Sequence, residues 1–393
     1  MHINPHLAQT PPPPVMEARR WIAGVTFPPE RPLLNLSQAA PVAPPPAPLQ
    51  AAMADALGDA ATHLYGPVLG LPALRAALAD RMRATYHGAV RPEQIAITSG
   101  CNQAFCAAIS AIAAPGDAVI VPTPWYFNHA MWLSMQGIEA IPLPCAPDLL
   151  PPDPDTARSL ISPRTRAIVL VTPNNPTGME YPPQLIAAFR DLARSHGLAL
   201  IVDETYRDFL SHEGAPHDLF TDPDWDDTLI HLYSFSKAYR LTGHRVGAVA
   251  TNPARLAQIE KVLDSVTICP SGLGQRAALW GLENLGDWLG GERREILARR
   301  DHLVAGFQTL AGWHLHAAGA YFGYASHPFD MPSDELAQQL VREASLLVLP
   351  GTMFAPQGDS DALRHLRIAF ANADAAGLAE LCARLQQFTT ANS

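Results

Sequence analysis

With 393 residues, 48% of them hydrophobic and 16% charged, the chain has length for two or three structural units and a large core. Its 27 Lys and Arg against 37 Asp and Glu give a formal charge of −10, a field that repels a phosphate backbone and argues against nucleic-acid partners. No apolar run approaches the roughly 18 residues that span a bilayer, and five cysteines without a CxxC pair argue against a disulfide framework or a structural zinc site.

The N-terminal residues lack a basic stretch followed by an apolar one, so a cytoplasmic protein without a membrane partner is expected. Residues 1–50 are punctuated by Pro11–Pro14, Pro28, Pro29, Pro41 and Pro44–Pro46. Proline interrupts sheet ladders and helix interiors, which predicts an extended arm with one short helix. Trp21, Ile22, Phe27, Leu33, Leu34 and Leu36 are too apolar for a solvated tail, so the arm is expected to pack on the body or on a partner subunit. Ile95–Thr98 then reads as a strand, Asn102–Ala114 as a helix and Ala118–Val121 as a second buried strand. Ala167–Val171 and Leu198–Val202 are apolar runs without alternation, the pattern of strands covered on both faces. Between them Gln184–His196 reads as a helix closed by Gly197. Leu229–Tyr233 and Val246–Ala250 continue the series. Strand, helix, strand at this spacing predicts an α/β fold with right-handed crossovers and a mostly parallel sheet flanked by helices. Beyond residue 253 helix dominates, with Glu292–Thr309 the longest candidate. Short strands at Tyr321–Ala325, Leu346–Leu349 and His365–Phe370, with helices at Asp334–Ala344 and up to Gln387, predict a smaller α+β domain. The expected division is an arm over 1–50 joining the small domain, a large domain over 51–290 and a small domain over 291–393.

In an open parallel sheet, ligands bind outside the carboxyl ends of the strands, so the polar residues that follow each apolar run carry the argument. Ser99-Gly100-Cys101-Asn102 opens a helix after the first strand, and its backbone N–H groups suit an anion, although any tight turn looks alike. Thr172-Pro-Asn-Asn-Pro-Thr-Gly178 is a stiff loop that either aims amides at one point or forms an Asx-turn. Asp203-Glu-Thr-Tyr206 puts a carboxylate at the end of an all-apolar strand, where its charge is costly unless a cation or several donors meet it. Ser234-Phe-Ser-Lys237, with Arg245 eight residues on, offers a lysine whose amine becomes nucleophilic when desolvation lowers its pKa. Only two lysines exist, Lys237 and Lys261. An anion cradle, an amide, a buried Asp and a reactive Lys together answer the needs of a pyridine aldehyde phosphate. His314-Leu-His316 puts two imidazoles on one strand face without a carboxylate or cysteine partner, so no metal is expected.

These residues, in this order, resemble the fold-type I, class I/II aminotransferase family, whose cofactor is pyridoxal 5′-phosphate, and the resemblance runs from about residue 33 onward. It implies a large domain with a mostly parallel sheet and a smaller α+β domain, as in aspartate aminotransferases. By this resemblance Lys237 is the Schiff-base lysine, Asp203 faces the ring nitrogen, and Asn175 and Tyr206 meet the 3′-oxygen. Ser234 and Arg245, with the cradle Gly100, Cys101 and Asn102, take the phosphate. Tyr126 stacks on the ring, and His129 stands behind Asp203. Arg367, in Leu366-Arg-Ile-Ala-Phe370, grips the substrate α-carboxylate, with Asn175 beside it. Tyr65 matches a tyrosine that reaches the neighbouring subunit's phosphate, which implies a homodimer with shared active sites. The implied activity is transfer of an amino group between an L-amino acid and a 2-oxo acid. Leu36-Ser-Gln-Ala-Ala-Pro41 departs from the family's L-G-x-G-x-P by alanine for glycine, which keeps an elimination, lyase, C–C-forming or ring-forming reaction on the same cofactor as the alternative. No lysine lies near Asn102, where an aspartate-specific subgroup places one, which weighs against dicarboxylate substrates. Trp125, Tyr126, Phe127 and Tyr321 are candidates for an apolar side-chain pocket, with core packing an equal account of each except Tyr126.

Overall fold

The structure, a computed structural model, describes residues 2–145, 149 and 151–392. Its strands in chain order are β1 (Leu34–Asn35), β2 (Ile95–Thr98), β3 (Ala118–Thr123), β4 (Glu139–Pro144), β5 (Thr165–Val171), β6 (Ala199–Asp203) and β7 (Leu229–Ser234). They are followed by β8 (Gly247–Ala250), β9 (His314–Gly319), β10 (Phe322–Ser326), β11 (Leu346–Leu347), β12 (Leu349–Pro350) and β13 (His365–Ile368). Seven of them form one sheet in the order β2-β8-β7-β6-β5-β3-β4. The five from β7 to β4 run parallel, and β8 runs antiparallel to both β7 and β2. The predicted α/β class and mostly parallel sheet are what form. Period-two alternation feeds two cores, with Ile168, Leu170, Leu200 and Val202 on one face and Val169, Ile201, Ile230 and Leu232 on the other.

A second, antiparallel sheet has the order β12-β13-β10-β9, and β1 pairs in parallel with β11 beside it. The arm departs from the expected single helix. Both α1 (Pro5–Gln9) and α2 (Pro14–Ile22) form, and α3 (Ala47–Ala56) starts before residue 50. Each carries a proline in its first turn, where the missing N–H would have had no helical partner, so proline opens these helices rather than breaking them. Ala18 of α2 packs with Phe127, Val341, Leu347, Leu349 and Phe354, which ties the arm to the second sheet. The long helix begins at Gly286 rather than 292 and ends at Phe307, so the expected boundary at residue 290 falls inside it. Gly290 and Gly291 hid its first two turns, because glycine is a poor helix former that packing here overrides. Two further helices bear on the site, α4 (Pro72–Tyr86) and α5 (Cys101–Ile112), and a third, α6 (Phe127–Met135), follows the aromatic cluster after β3.

The two sheets meet where the loop after β5 touches the turn after β9. Gly178 has φ +77, and a Cβ there would lie 2.4 Å from the Gly319 nitrogen. A side chain is thus excluded twice, by conformation and by space. Gly178→Ala is expected to cost about 2–4 kcal/mol of stability, read from urea unfolding, because left-handed strain and overpacking add. A loss below about 1 kcal/mol would mean that the contact between the sheets is soft.

Candidate active site

Sheet register assembles the site. Val171 pairs with Asp203 and Asp203 with Leu232, while Ser234 and Thr98 both pair with Gly247. The carboxyl ends of β2, β5, β6 and β7 therefore share one rim, and antiparallel β8 enters at that rim carrying Arg245 just before it. A cavity of about 450 Å³ opens there, lined by Cys101, Asn102, Tyr126, Asn175, Asp203, Tyr206, Ser234, Lys237, Arg245 and Arg367. Ten of the residues singled out in the sequence, up to 266 positions apart, thus face one space.

Asp203 is buried, and its carboxylate is met on several sides. The Thr205 hydroxyl and backbone N–H donate to Oδ1 at 2.7 and 3.0 Å, and the Cys101 thiol donates to the same oxygen at 3.6 Å. His129 Nε2 lies 3.3 Å from Oδ2. Burial alone pushes the carboxyl pKa up, but the His129 and Thr205 interactions outweigh it and hold Asp203 below its ordinary value. The His129 ring is fixed by stacking on Phe105, with centroids 3.8 Å apart, and by its edge contact with Tyr126 at 5.0 Å.

Lys237 sits in the short helix Phe235–Ala238 that β7 runs into, capped by Ser234 Oγ accepting from the Ser236 N–H. Its Nζ donates to the Ala39 carbonyl at 2.8 Å and lies 5.6 Å from the Tyr206 ring centre. Burial, then the Arg245 and Arg367 charges, bring its pKa down to about 8. Buried Tyr206 has its phenol pushed well up, first by burial and then by Tyr126, so it stays protonated at neutral pH. Arg367 extends from β13 between the Phe322 and Phe354 rings, at 5.1 and 4.7 Å. It donates to Asn175 Oδ1 at 3.0 Å and to the Ser37 carbonyl. Burial lowers its pKa to about 10, which leaves it charged at neutral pH.

The cradle is built by close approach. Gly100 caps α5 with φ +88, and a Cβ there would fall 2.1 Å from an Arg245 nitrogen. Arg245 also donates to Ser236 Oγ at 3.4 Å and to the Thr242 carbonyl at 3.1 Å. In the loop after β5 the two asparagines divide the two readings between them. Asn174 forms the Asx-turn, accepting from the Thr177 N–H and hydroxyl, whereas Asn175 faces the cavity.

Tyr65 is 79% exposed in the single chain and does not line this cavity. Of the four apolar candidates Tyr126 and Phe127 line it. Trp125 faces a separate cavity behind the arm, and Tyr321 packs on Tyr206 and Phe209. Sequence reading missed Thr205, whose signal was the Asx-type spacing two residues after Asp203. It also missed Ser236 and Thr242, and the arm residues Arg19 and Gln38 at the cavity mouth. No local pattern marks those last two, since only the tertiary path of the arm brings them there.

The sequence model of the family described as aminotransferase class I and II matches residues 31–385. The chain belongs to that family. Among curated relatives of this aminotransferase, a probable aspartate/prephenate aminotransferase of Thermus aquaticus is 31% identical over 79% of this chain and 80% of its own. A valine–pyruvate aminotransferase of Mycobacterium tuberculosis is 31% identical over 86% and 87%, and an aromatic aminotransferase of Arabidopsis thaliana is 28% identical over 95% and 93%. Among solved structures, the aspartate aminotransferase of Thermus thermophilus with maleate superposes with a TM-score of 0.88 at 26% identity, covering 98% of this chain and 99% of that one.

Aminotransferases of this family use pyridoxal phosphate. The residues at the rim fit it. A cationic ring nitrogen would meet the carboxylate that Asp203 keeps ionised, a phosphate would meet the Gly100 turn with Arg245 and Ser234, and an aldehyde would meet a desolvated amine. Arg367 Nε is buried without a hydrogen-bond partner, so one donor of the guanidinium awaits an acceptor.

Directly behind Asp203 a second buried carboxylate braces the end of β6. Glu204 takes the Tyr86 hydroxyl, lies 2.8 Å from His231 Nε2 and 3.6 Å from His217 Nε2, and Arg207 reaches the same tyrosine at 3.2 Å. Burial pushes its pKa up, but His217 and His231 more than reverse this and hold it far below the usual carboxylate range. A depressed carboxyl pKa contributes stability above the unfolded value of about 4.3 and loses it as pH falls toward the folded value. Glu204→Gln is therefore expected to lose about 2–3 kcal/mol at pH 7. In a pH series of thermal unfolding the gap to the parent should shrink below about pH 4.

Proposed function

We propose that Lys237 supplies the amine that holds the cofactor aldehyde and then serves as the base of transamination, with Asp203, Arg245 and Arg367 binding the three charged groups around it. When bound, pyridoxal phosphate supplies an electron sink for negative charge arising at the substrate Cα. Asp203 holds the ring nitrogen in its cationic form, because its own pKa is depressed. Arg367 orients the substrate by its α-carboxylate, with Asn175 fixing the plane of the guanidinium. Released from the cofactor, Nζ is poised to take the Cα proton and pass it on, since burial keeps much of the amine neutral near pH 8. The observation that carries this reading is the meeting of Lys237, Asp203 and Arg367 in one cavity, with a lysine pKa moved down and an aspartate pKa held down.

The Ala39-Ala40 departure does not favour the elimination reading. Neither residue adopts a positive φ, so alanine is accommodated without strain, and the Ala39 carbonyl still turns into the site. The relatives named above are an aspartate/prephenate, a valine–pyruvate and an aromatic aminotransferase, which supports an α-amino acid and a 2-oxo acid as substrates while leaving the side chain open. We further infer a homodimer with shared sites, supported by the exposure of Tyr65 away from its own cavity.

Lys237→Ala is expected to lose the visible absorption of the bound cofactor and to slow amino transfer by at least about 10²–10⁴-fold. Full turnover in that variant would sink the assignment. In apoenzyme, covalent capture of pyridoxal phosphate should rise with pH to half its maximal rate near pH 8, below the 10.4 or so of an ordinary lysine. Light scattering should give twice the chain mass, and Tyr65→Phe should weaken cofactor retention without changing that mass.

A further inference from the structure

Four cations line the cavity, Arg19, Lys237, Arg245 and Arg367, and Asp203 is the single carboxylate among the described lining residues. Under the reading proposed above, on which this inference rests, each has a counterpart except one. Arg245 faces a phosphate, Arg367 an α-carboxylate, and Lys237 is the covalent amine. Arg19 is left over.

Arg19 lies on α2, one residue past Ala18, which packs under Phe127 and Phe354. That placement stands the guanidinium at the mouth of the cavity. There it donates to the side-chain oxygen of Gln38 at 3.1 Å and touches Met16 Sδ at 3.9 Å, both neutral partners. The nearby acid of the same helix, Glu17, is taken by Arg20 at 2.5 Å. No carboxylate among the described residues pairs with Arg19. Gln38 in turn is held from behind, its carbonyl accepting from the Asn372 amide, and the same strap offers Ser37 O to Arg367 and Ala39 O to Lys237. Arg19 therefore lines the same cavity as Arg367 and Lys237 and contacts Gln38, on the strap whose Ser37 and Ala39 carbonyls those two cations use.

We propose that Arg19 is a specificity-determining residue that takes a second carboxylate, so the enzyme prefers amino acids with an acidic side chain and the matching 2-oxo diacids. The sequence has no lysine near Asn102 to do this; the arm supplies a cation to the same cavity. A guanidinium with only neutral partners exchanges one amide oxygen for an anion, which strengthens the hydrogen bond it makes.

The test reads binding rather than turnover. Calorimetric titration of holoenzyme with succinate and with butyrate, which differ by one carboxylate, should show succinate binding at least about tenfold tighter. Arg19→Met should collapse that ratio toward one, and Arg19→Lys should keep part of it. An unchanged ratio in Arg19→Met, or no preference in the parent, overturns the inference. An amino-acid panel followed by cofactor absorption separates the two readings. If no amino acid converts the cofactor, the transamination reading fails whatever the diacid binding shows. If alanine or phenylalanine converts it faster than aspartate and glutamate, the assignment of Arg19 fails alone.

Discussion

The site depends on keeping the Asp203 carboxylate ionised although the fold buries nearly all of it. A lone buried carboxylate would take up a proton, so the fold surrounds this one with donors from three separate elements. Thr205 comes from the turn it belongs to, Cys101 from the first residue of α5, and His129 from α6. Each donor commits its element to a position. α5 must start next to the end of β6, which sets the anion cradle beside the carboxylate, and α6 must pack its histidine on Phe105. The arrangement of the rim cavity follows from satisfying one charge.

The second constraint is the opposite one, a surplus of cations facing a space with few anions. Lys237 and Arg367 both donate to carbonyls of residues 37–39. A neutral carbonyl is a weaker acceptor than a carboxylate. The strap therefore satisfies both cations enough to be stable and yields to a better acceptor. β1 pairs with β11 beside that strap, and α2 packs on Phe127 and Phe354, which border the cavity and Arg367. The carbonyls that meet Lys237 and Arg367 and the packing of the arm are thus joined by one chain of contacts.

Much of the rim was legible because apolar runs locate strand ends, and strand ends locate ligands. Asp203 follows such a run directly, and Asn175 and Lys237 each stand four residues beyond one. Their neighbours were harder. Asn174 and Asn175 are chemically identical in sequence, and only the turn geometry decides that the first serves the backbone and the second the cavity. Prolines in the arm were read as breakers although Pro5, Pro14 and Pro48 sit in first turns, where the same chemistry starts a helix. Gly290 and Gly291 concealed the start of a helix that tertiary packing, not propensity, holds in place. Arg19 carries no local signal at all, because its meaning arises only when α2 is laid across the rim.

That last case indicates where discrimination between substrates resides on this scaffold. On the proposed reading, the groups that would face the shared parts of every amino acid come from the rim of the large sheet and from β13, elements held by ladders. On the same reading, the groups that would face the variable part are Met16, Arg19 and Gln38, on a helix and strap held mainly by side-chain packing and a two-residue ladder. Changing a rim residue disturbs a charge that several elements jointly satisfy. Changing an exposed residue of α2 alters the chemistry of the mouth while leaving Ala18 and its partners in place, so specificity can vary at little cost to the core.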